Sequence, residues 1–117
     1  MTINADVVIV GAGPSGLFQV FELGLLGLSA HVVDSLANIG GQCTALYPEK
    51  PIYDIPALPV CNAQELVERL AAQIEPFNPT FHLNQEVVEL QTRSATHFYL
   101  KTSGGIEFLT RAVVIAG

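Results

Sequence analysis

The spacing of apolar and polar residues divides the first third of the chain into three predicted elements. Residues 5–10 are apolar except for Asp6, and this run predicts a strand buried on both faces of a sheet. Residues 14–26 are almost entirely apolar over a longer stretch, which predicts a largely buried helix. Residues 30–34 form a second strand-like run. The order strand, helix, strand predicts a βαβ unit with parallel strands.

The middle of the chain loses this regularity and then becomes helical. Residues 35–59 contain two adjacent glycines and four prolines, and predict a long loop of the kind that often carries function. Asn62 and Glu65 have the spacing of a capping box, so a helix should begin there. Pro76 should end it. Apolar residues recur at helical spacing between these signals: Leu66, Val67, Leu70, Ala71 and Ile74.

After residue 79 the period falls to two, which indicates strands. Four short runs have strand composition, and the pair Gly104-Gly105 predicts a hairpin between the last two of them. We interpret this region as an antiparallel scaffold. Residues 111–117 are again apolar after Arg111 and should return to the central parallel sheet. The four runs are residues 80–83, 86–92, 96–102 and 106–110.

A glycine-rich turn joins the first predicted strand to the first predicted helix. Gly11 suits the tight turn, Gly13 would let the backbone approach a pyrophosphate, and Gly16 would let the helix pack closely on the strand. The amino end of the helix would hold the phosphates without a lysine. Asp34, 18 residues after Gly16, is placed to accept the hydroxyls of an adenosine ribose and to repel a 2′-phosphate. The pattern predicts a site for FAD or NAD and not for NADP.

The predicted fold class is therefore α/β, a Rossmann-like FAD/NAD(P)-binding βαβ unit with a central parallel sheet and a small antiparallel β-meander. At 117 residues with 50% apolar composition, the chain should form one globular, soluble domain. No apolar run reaches the roughly 20 residues needed to cross a bilayer, so we expect a cytoplasmic protein. A net charge of −6 without a basic cluster argues against nucleic acid and anionic membranes as partners.

Cysteine and histidine suggest no redox or metal chemistry of their own. Cys43 and Cys61 are separated by 17 intervening residues and match no metal or CxxC spacing, so we expect two reduced thiols. The histidines His31, His82 and His97 are scattered, and we assign them neither a catalytic nor a metal-binding role.

Together with Asp34 and the terminal VVIAG, the segments VVIVGAGPSG and GGQ resemble the FAD domain of the flavoprotein reductases that have two dinucleotide domains. More narrowly, the longer segment from Gly40 to Asp54, GGQCTALYPEKPIYD, resembles the thioredoxin-reductase-like ferredoxin–NADP reductases. The resemblance covers essentially the whole chain. The redox disulfide of glutathione-reductase-type enzymes is not expected, because Pro48 occupies the position of the second cysteine.

The resemblance implies a set of FAD contacts. Asp34 would hold the adenosine ribose, Val87 would meet the adenine through its backbone, and Gln42 and Tyr47 would contact the ribityl and isoalloxazine part. The pyrophosphate turn would consist of Gly11, Gly13, Ser15 and Gly16. No side chain is expected to act as an acid or base in catalysis.

Members of that family have a second domain for NADPH, followed by a segment that completes the FAD domain. Neither lies within these 117 residues, so we expect residues 1–117 to be the N-terminal part of the FAD-binding domain. The resemblance implies that the complete enzyme is a homodimer that passes electrons from NADPH through FAD to ferredoxin or flavodoxin. Two alternatives stay open: a thioredoxin-reductase-type disulfide reductase, and a non-catalytic module that binds an adenine dinucleotide.

Overall fold

A computed structural model describes residues 2–41, 46, 49, 51–53 and 55–116. Within these described residues the structure has two helices and eight strands, and the chain begins with the predicted βαβ unit. In chain order these are β1 (Thr2–Val10), α1 (Pro14–Leu25), β2 (Ala30–Val33), β3 (Pro51–Ile52), β4 (Cys61–Asn62), α2 (Ala63–Ile74), a 3₁₀ turn (Glu75–Phe77), β5 (Thr80–His82), β6 (Val87–Thr92), β7 (Phe98–Thr102) and β8 (Glu107–Ile115).

Six of these strands form one sheet in the order β5-β2-β1-β8-β7-β6. The first four strands of that order are mutually parallel, whereas β7 is antiparallel to β8 and β6 is antiparallel to β7. The predicted fold class, a central parallel sheet with a small antiparallel meander, is confirmed. The meander shares β8 with the parallel part, so the two form one sheet.

Strand β8 differs from the prediction, because the runs 106–110 and 111–117 form a single strand. It pairs in parallel with β1 from Thr2 opposite Glu107 to Val10 opposite Ile115. Its first half also pairs antiparallel with β7. The charged residue Arg111 divides the apolar pattern, but its side chain is exposed, and β8 pairs with β1 in the same register on both sides of it. Strand β1 is extended correspondingly and begins at residue 2.

The run 80–83 was expected in the antiparallel scaffold, and this expectation is wrong. Strand β5 pairs in parallel with β2, with His82 opposite Val33. The reason is the connection: α2 carries the chain back across the sheet, as a parallel crossover requires. Within the predicted loop 35–59, Pro51 and Ile52 pair with Asn62 and Cys61 in a short antiparallel ladder.

Both helices begin and end close to the predicted residues. Pro14 occupies the first turn of α1, and Gly27 follows its end with φ +75°, where glycine adopts the left-handed conformation without strain. Asn62 caps α2, its side-chain oxygen accepting a 2.8 Å hydrogen bond from the Glu65 N–H. In the part of the chain that the structure describes, no helix is long and apolar enough to span a membrane.

The apolar core lies on both faces of the sheet. On one face α1 and α2 pack against β1 and β2. On the other face, side chains of the sheet's own strands form a second buried cluster: Val8, Val33, Leu100 and Phe108. The carboxyl ends of β1, β2 and β8 lie outside this core and border a cleft.

Candidate dinucleotide site

A cleft of about 610 Å³ opens at the carboxyl ends of β1, β2 and β8. In parallel α/β sheets, ligands bind at this edge. The wall combines strand ends, the start of α1 and the segment leading into β6. Its described residues are Val10, Gly11, Gly13, Pro14, Val33, Asp34, Ser35, Leu36, Gly40, Gly41, Gln85, Glu86, Val87, Ile115 and Ala116.

Glycine is required at two places in the turn between β1 and α1. Gly11 has φ +117°, and a Cβ there would lie 1.9 Å from the carbonyl oxygen of Ala116. A Cβ at Gly16 would lie 2.0 Å from the carbonyl oxygen of Gly11. The turn is therefore packed between the end of β8 and the first turn of α1, as the sequence predicts for the helix contact of Gly16.

Gly13 has a different environment, because its neighbour in space is a second glycine, Gly41, that also lines the cleft. A Cβ at Gly41 would lie 3.1 Å from the Cα of Gly13. The N–H of Gly40 donates a 2.7 Å hydrogen bond to the Ala12 carbonyl. The pair Gly40-Gly41 thus lies directly against the glycine-rich turn, and both segments line the same cleft.

The amino end of α1 points its unpaired N–H groups toward this region. Gly13 is the N-cap residue and supplies no side-chain cap, and the first turn contains no acidic residue. An anion at this end would therefore meet backbone donors and the positive end of the helix without a competing carboxylate in that turn. Ser15 is exposed in the same turn, beside the described wall of the cleft.

Asp34 follows β2 and is fixed to the glycine-rich turn by its own side chain. One carboxylate oxygen accepts a 2.6 Å hydrogen bond from the Ala12 N–H, and the other accepts a 2.8 Å bond from the Leu36 N–H. Each oxygen keeps a further lone pair, so the carboxylate can still accept ribose hydroxyls. Glu86 lines the same cleft and adds a second negative charge.

Val87 begins β6 and lies in the wall opposite the glycine-rich turn. The segment before it is attached to the β7–β8 turn through the backbone of Glu86, whose N–H donates to the Ser103 hydroxyl and whose carbonyl accepts from the Ser103 N–H. Of the predicted site residues, the cleft therefore brings together Gly11, Gly13, Asp34 and Val87. Gln42 and Tyr47, like Cys43, lie outside the described residues.

Sequence reasoning missed part of the wall. Gln85, Glu86, Ile115 and Ala116 also line the cleft. The position of Gln85 two residues before Val87 was a usable signal. Ile115 carried no such signal in the sequence. It belongs to an apolar strand, and its 68% exposure depends on how that edge of the sheet is covered.

A pair of histidines lies on the sheet beside the site. The Nδ1 of His31 and the Nε2 of His82 are 3.0 Å apart, with ring planes within 19°, so the rings meet edge to edge in a hydrogen bond. Phe108 contacts both rings edge-on. Burial lowers the pKa of both imidazoles, and for His82 the neighbouring His31 lowers it further. Among the described residues no group of three or more side chains could hold a metal ion.

Cys61 is a free, buried thiol in the ladder between β3 and β4. It packs in the core beside α2. This position gives the thiol a packing role.

The fold is shared with known oxidoreductases. The thioredoxin reductase of Streptococcus pyogenes matches 98% of this chain with a TM-score of 0.83 at 19% identity, over 35% of its own length. The Lactococcus lactis thioredoxin reductase matches 95% of the chain with a TM-score of 0.80 at 21% identity, over 34% of its length. The chain therefore has the same α/β fold as the matching parts of these two thioredoxin reductases.

The sequence comparison is more specific. Ferredoxin–NADP reductase 2 of Cupriavidus necator is 60% identical over 95% of this chain, and ferredoxin–NADP reductase of Methylibium petroleiphilum is 61% identical over 98%. Along nearly its whole length, the chain is homologous to the ferredoxin–NADP reductases, which confirms the resemblance of its motifs. It spans 30% and 31% of the length of these two relatives. No protein-family model matches the chain.

Proposed function

We propose that the chain holds the adenosine and pyrophosphate part of FAD in a flavoprotein oxidoreductase of the ferredoxin–NADP reductase type. The observation that carries this proposal is the hydrogen bond between the Asp34 carboxylate and the Ala12 N–H, which joins the proposed ribose acceptor to the proposed phosphate-binding turn. The distance between ribose and pyrophosphate in a dinucleotide is short, so the two groups must be bound by adjacent protein segments. The homology to ferredoxin–NADP reductases supports FAD as the ligand.

Each predicted residue has a role in this proposal. Asp34 accepts the ribose hydroxyls, and Val87 meets the adenine through its backbone. Gln42 and Tyr47 contact the ribityl and isoalloxazine part. The pyrophosphate rests on the turn formed by Gly11, Gly13, Ser15 and Gly16 and on the amino end of α1. Asp34 and Glu86 make the cleft unfavourable for a 2′-phosphate, so NADPH would bind elsewhere.

Residues 1–117 are, in this proposal, the N-terminal part of the FAD-binding domain, and the NADPH domain belongs to the rest of the complete protein. Bound FAD would supply electron transfer from NADPH to ferredoxin or flavodoxin. This chain would contribute binding and orientation, and no side chain would act as an acid or base. A homodimer and a cytoplasmic location for the complete protein belong to the same proposal.

The visible absorption spectrum of the complete protein that contains this chain tests the proposal. We expect flavin bands that bleach on addition of NADPH and return on addition of oxidised ferredoxin. Reoxidation by thioredoxin and not by ferredoxin would replace the proposal with a disulfide reductase. A colourless protein that binds ADP would identify a nucleotide-binding module without flavin chemistry.

A further inference from the structure

We propose that Gln85 is a positioning residue for adenine recognition, and that it acts by fixing the backbone of Val87 in the wall of the cleft. This inference rests on the proposed function, because it concerns the adenine end of the same site. Gln85 itself needs no contact with the ligand. Its side chain is half-buried and lies between the cleft and the turn that joins β7 to β8.

The side-chain oxygen of Gln85 accepts two hydrogen bonds from that turn. The Thr102 hydroxyl donates one at 2.6 Å, and the Gly104 N–H donates the other at 3.0 Å. Thr102 is 1% exposed, and its hydroxyl also accepts from the Ile106 N–H at 3.1 Å. Gly104 leaves the space that the Gln85 amide fills, because a Cβ there would lie 2.4 Å from the amide oxygen. The rotamer of Gln85 is therefore fixed by a buried polar group and by the shape of the turn.

The backbone of the same segment is attached on both sides. The Gln85 N–H donates to the Asp34 carbonyl at 2.9 Å, which ties the segment to the ribose end of the cleft. On the other side the Glu86 carbonyl accepts from the Ser103 N–H at 2.7 Å. Gln85 thus connects the residue proposed to bind ribose with the hairpin that supports β6.

This arrangement determines where the backbone groups of Val87 point. Successive residues of a strand direct their N–H and C=O groups to opposite sides. Glu86 bonds to Ser103, so Val87, opposite Thr102, directs its N–H and C=O away from β7. Thr102 agrees with this register, because its N–H bonds to Ile106 on the far side. Strand β6 is at the edge of the described sheet, so these two groups of Val87 face open space beside the cleft.

An N–H donor and a C=O acceptor on one residue match the edge of adenine, which offers the N6 amino donor and the N1 acceptor. Hypoxanthine reverses both, with a carbonyl at C6 and an N–H at N1. A backbone held in place should reject the reversed pattern, because both protein groups would be left unpaired. Loss of the Gln85 anchor should let the segment move and weaken this discrimination.

The test compares the affinities of ADP and IDP, measured by calorimetry on the complete protein after removal of any bound flavin. Gln85→Leu removes the acceptor, and Gln85→Glu keeps an oxygen in its place. Gln91→Leu is the matched control, because Gln91 lies exposed on β6, the strand that Gln85 precedes, and outside the described wall of the cleft. We expect wild type to prefer ADP, Gln85→Leu to reduce the ADP-to-IDP preference by roughly two- to tenfold, and both Gln85→Glu and Gln91→Leu to retain it.

An equal loss of affinity for both nucleotides in Gln85→Leu would overturn the inference, because a general weakening of the fold would have that effect. An ADP-to-IDP preference in Gln85→Leu equal to that of wild type would also overturn the inference. If Gln85→Leu does not fold, Thr102→Val removes the same hydroxyl donor from the other side, and a preference equal to wild type in that variant would also overturn it. Wild-type protein that binds both nucleotides equally would contradict the inference alone. Wild-type protein that binds neither ADP nor FAD would contradict the proposed function.

Discussion

The carboxylate of Asp34 accepts a 2.6 Å hydrogen bond from the N–H of Ala12, which lies between Gly11 and Gly13 of the glycine-rich turn. The two residues are 22 positions apart in the chain. Their bond joins the residue after β2 to the turn after β1, so the acidic group lies directly against the glycine-rich turn. A ligand that spans both would find them at a fixed separation.

Asp34→Ala should lower both stability and FAD affinity. Two backbone donors, those of Ala12 and Leu36, lose their acceptor, which should reduce the free energy of unfolding by about 1.5–3 kcal/mol. Loss of the ribose contacts should weaken FAD binding by about tenfold or more. Denaturant titration and flavin fluorescence titration measure the two effects separately.

Asp6→Ala provides the control for that variant. The Asp6 carboxylate accepts two hydrogen bonds from Ser29, its N–H and its hydroxyl, which lower the pKa of Asp6. These bonds also join two segments near β1 and β2, but they lie outside the described wall of the cleft. We expect Asp6→Ala to leave FAD affinity unchanged. Unchanged FAD affinity in Asp34→Ala would refute the ribose assignment.

Alanine substitutions should distinguish a glycine that the fold requires, Gly11, from a glycine that the proposed ligand requires, Gly13. Gly11→Ala combines a positive φ with a Cβ only 1.9 Å from a backbone oxygen, and should cost roughly 2–5 kcal/mol of stability. At Gly13 the N-cap φ is −75° and the nearest atom is the Gly41 Cα at 3.9 Å, so Gly13→Ala should fold normally. Its methyl group would occupy the place proposed for the pyrophosphate, so FAD binding should fall.

Thermal melts and FAD titrations of the two variants check this contrast. Gly27→Ala is a useful reference, because Gly27 has φ +75° but no atom within 4 Å of a Cβ. It should lose only the left-handed strain of about 1–2 kcal/mol. A Gly13→Ala variant that binds FAD like wild type would exclude close approach of the pyrophosphate at that residue.

The histidine pair should make stability depend on pH. Burial lowers the pKa of His31 and His82 below their ordinary value of about 6.5, so the unfolded chain binds more protons than the folded one as the pH falls. Stability is therefore fully present above that value and is lost as the pH drops from about 6.5 through the folded-state pKa values. If both rings were protonated, neither of the two facing nitrogens could accept, and the hydrogen bond between the rings would be lost.

Urea midpoints between pH 8 and pH 5.5 measure this dependence. The double variant His31→Gln/His82→Gln should show a shallower slope than wild type in that window. Equal slopes in wild type and the double variant would show that the pair does not titrate during unfolding.

The cap of α2 makes a prediction that is independent of the ligand. Asn62→Ala removes the acceptor for the Glu65 N–H and should reduce the free energy of unfolding by about 1 kcal/mol. Asn62→Asp keeps an acceptor and should restore most of the loss. Denaturant titration of the three proteins measures both changes, and an unaffected Asn62→Ala variant would show that the helix start is held by packing alone.

The elements with a local signal were predictable from the sequence. Pro14 and Gly27 mark the limits of α1, and Asn62 marks the start of α2, because capping depends on residues within one turn. The glycine-rich turn and Asp34 were identified as one site because their spacing reflects the length of a βαβ unit. The pairing of β5 with β2 was missed, since nothing in the residues 80–83 shows which strand lies beside them.

Local chemistry thus determined the helices, the central strands and the acidic and glycine residues of the candidate site, because each depends on near neighbours along the chain. Only the tertiary structure decided that Gln85 anchors the cleft wall to Thr102, that β8 is one strand shared by two kinds of pairing, and that His31 meets His82 across 51 residues. These contacts arise from the register and order of strands in the sheet. That order depends on burial of the whole apolar surface at once, which no single stretch of sequence specifies.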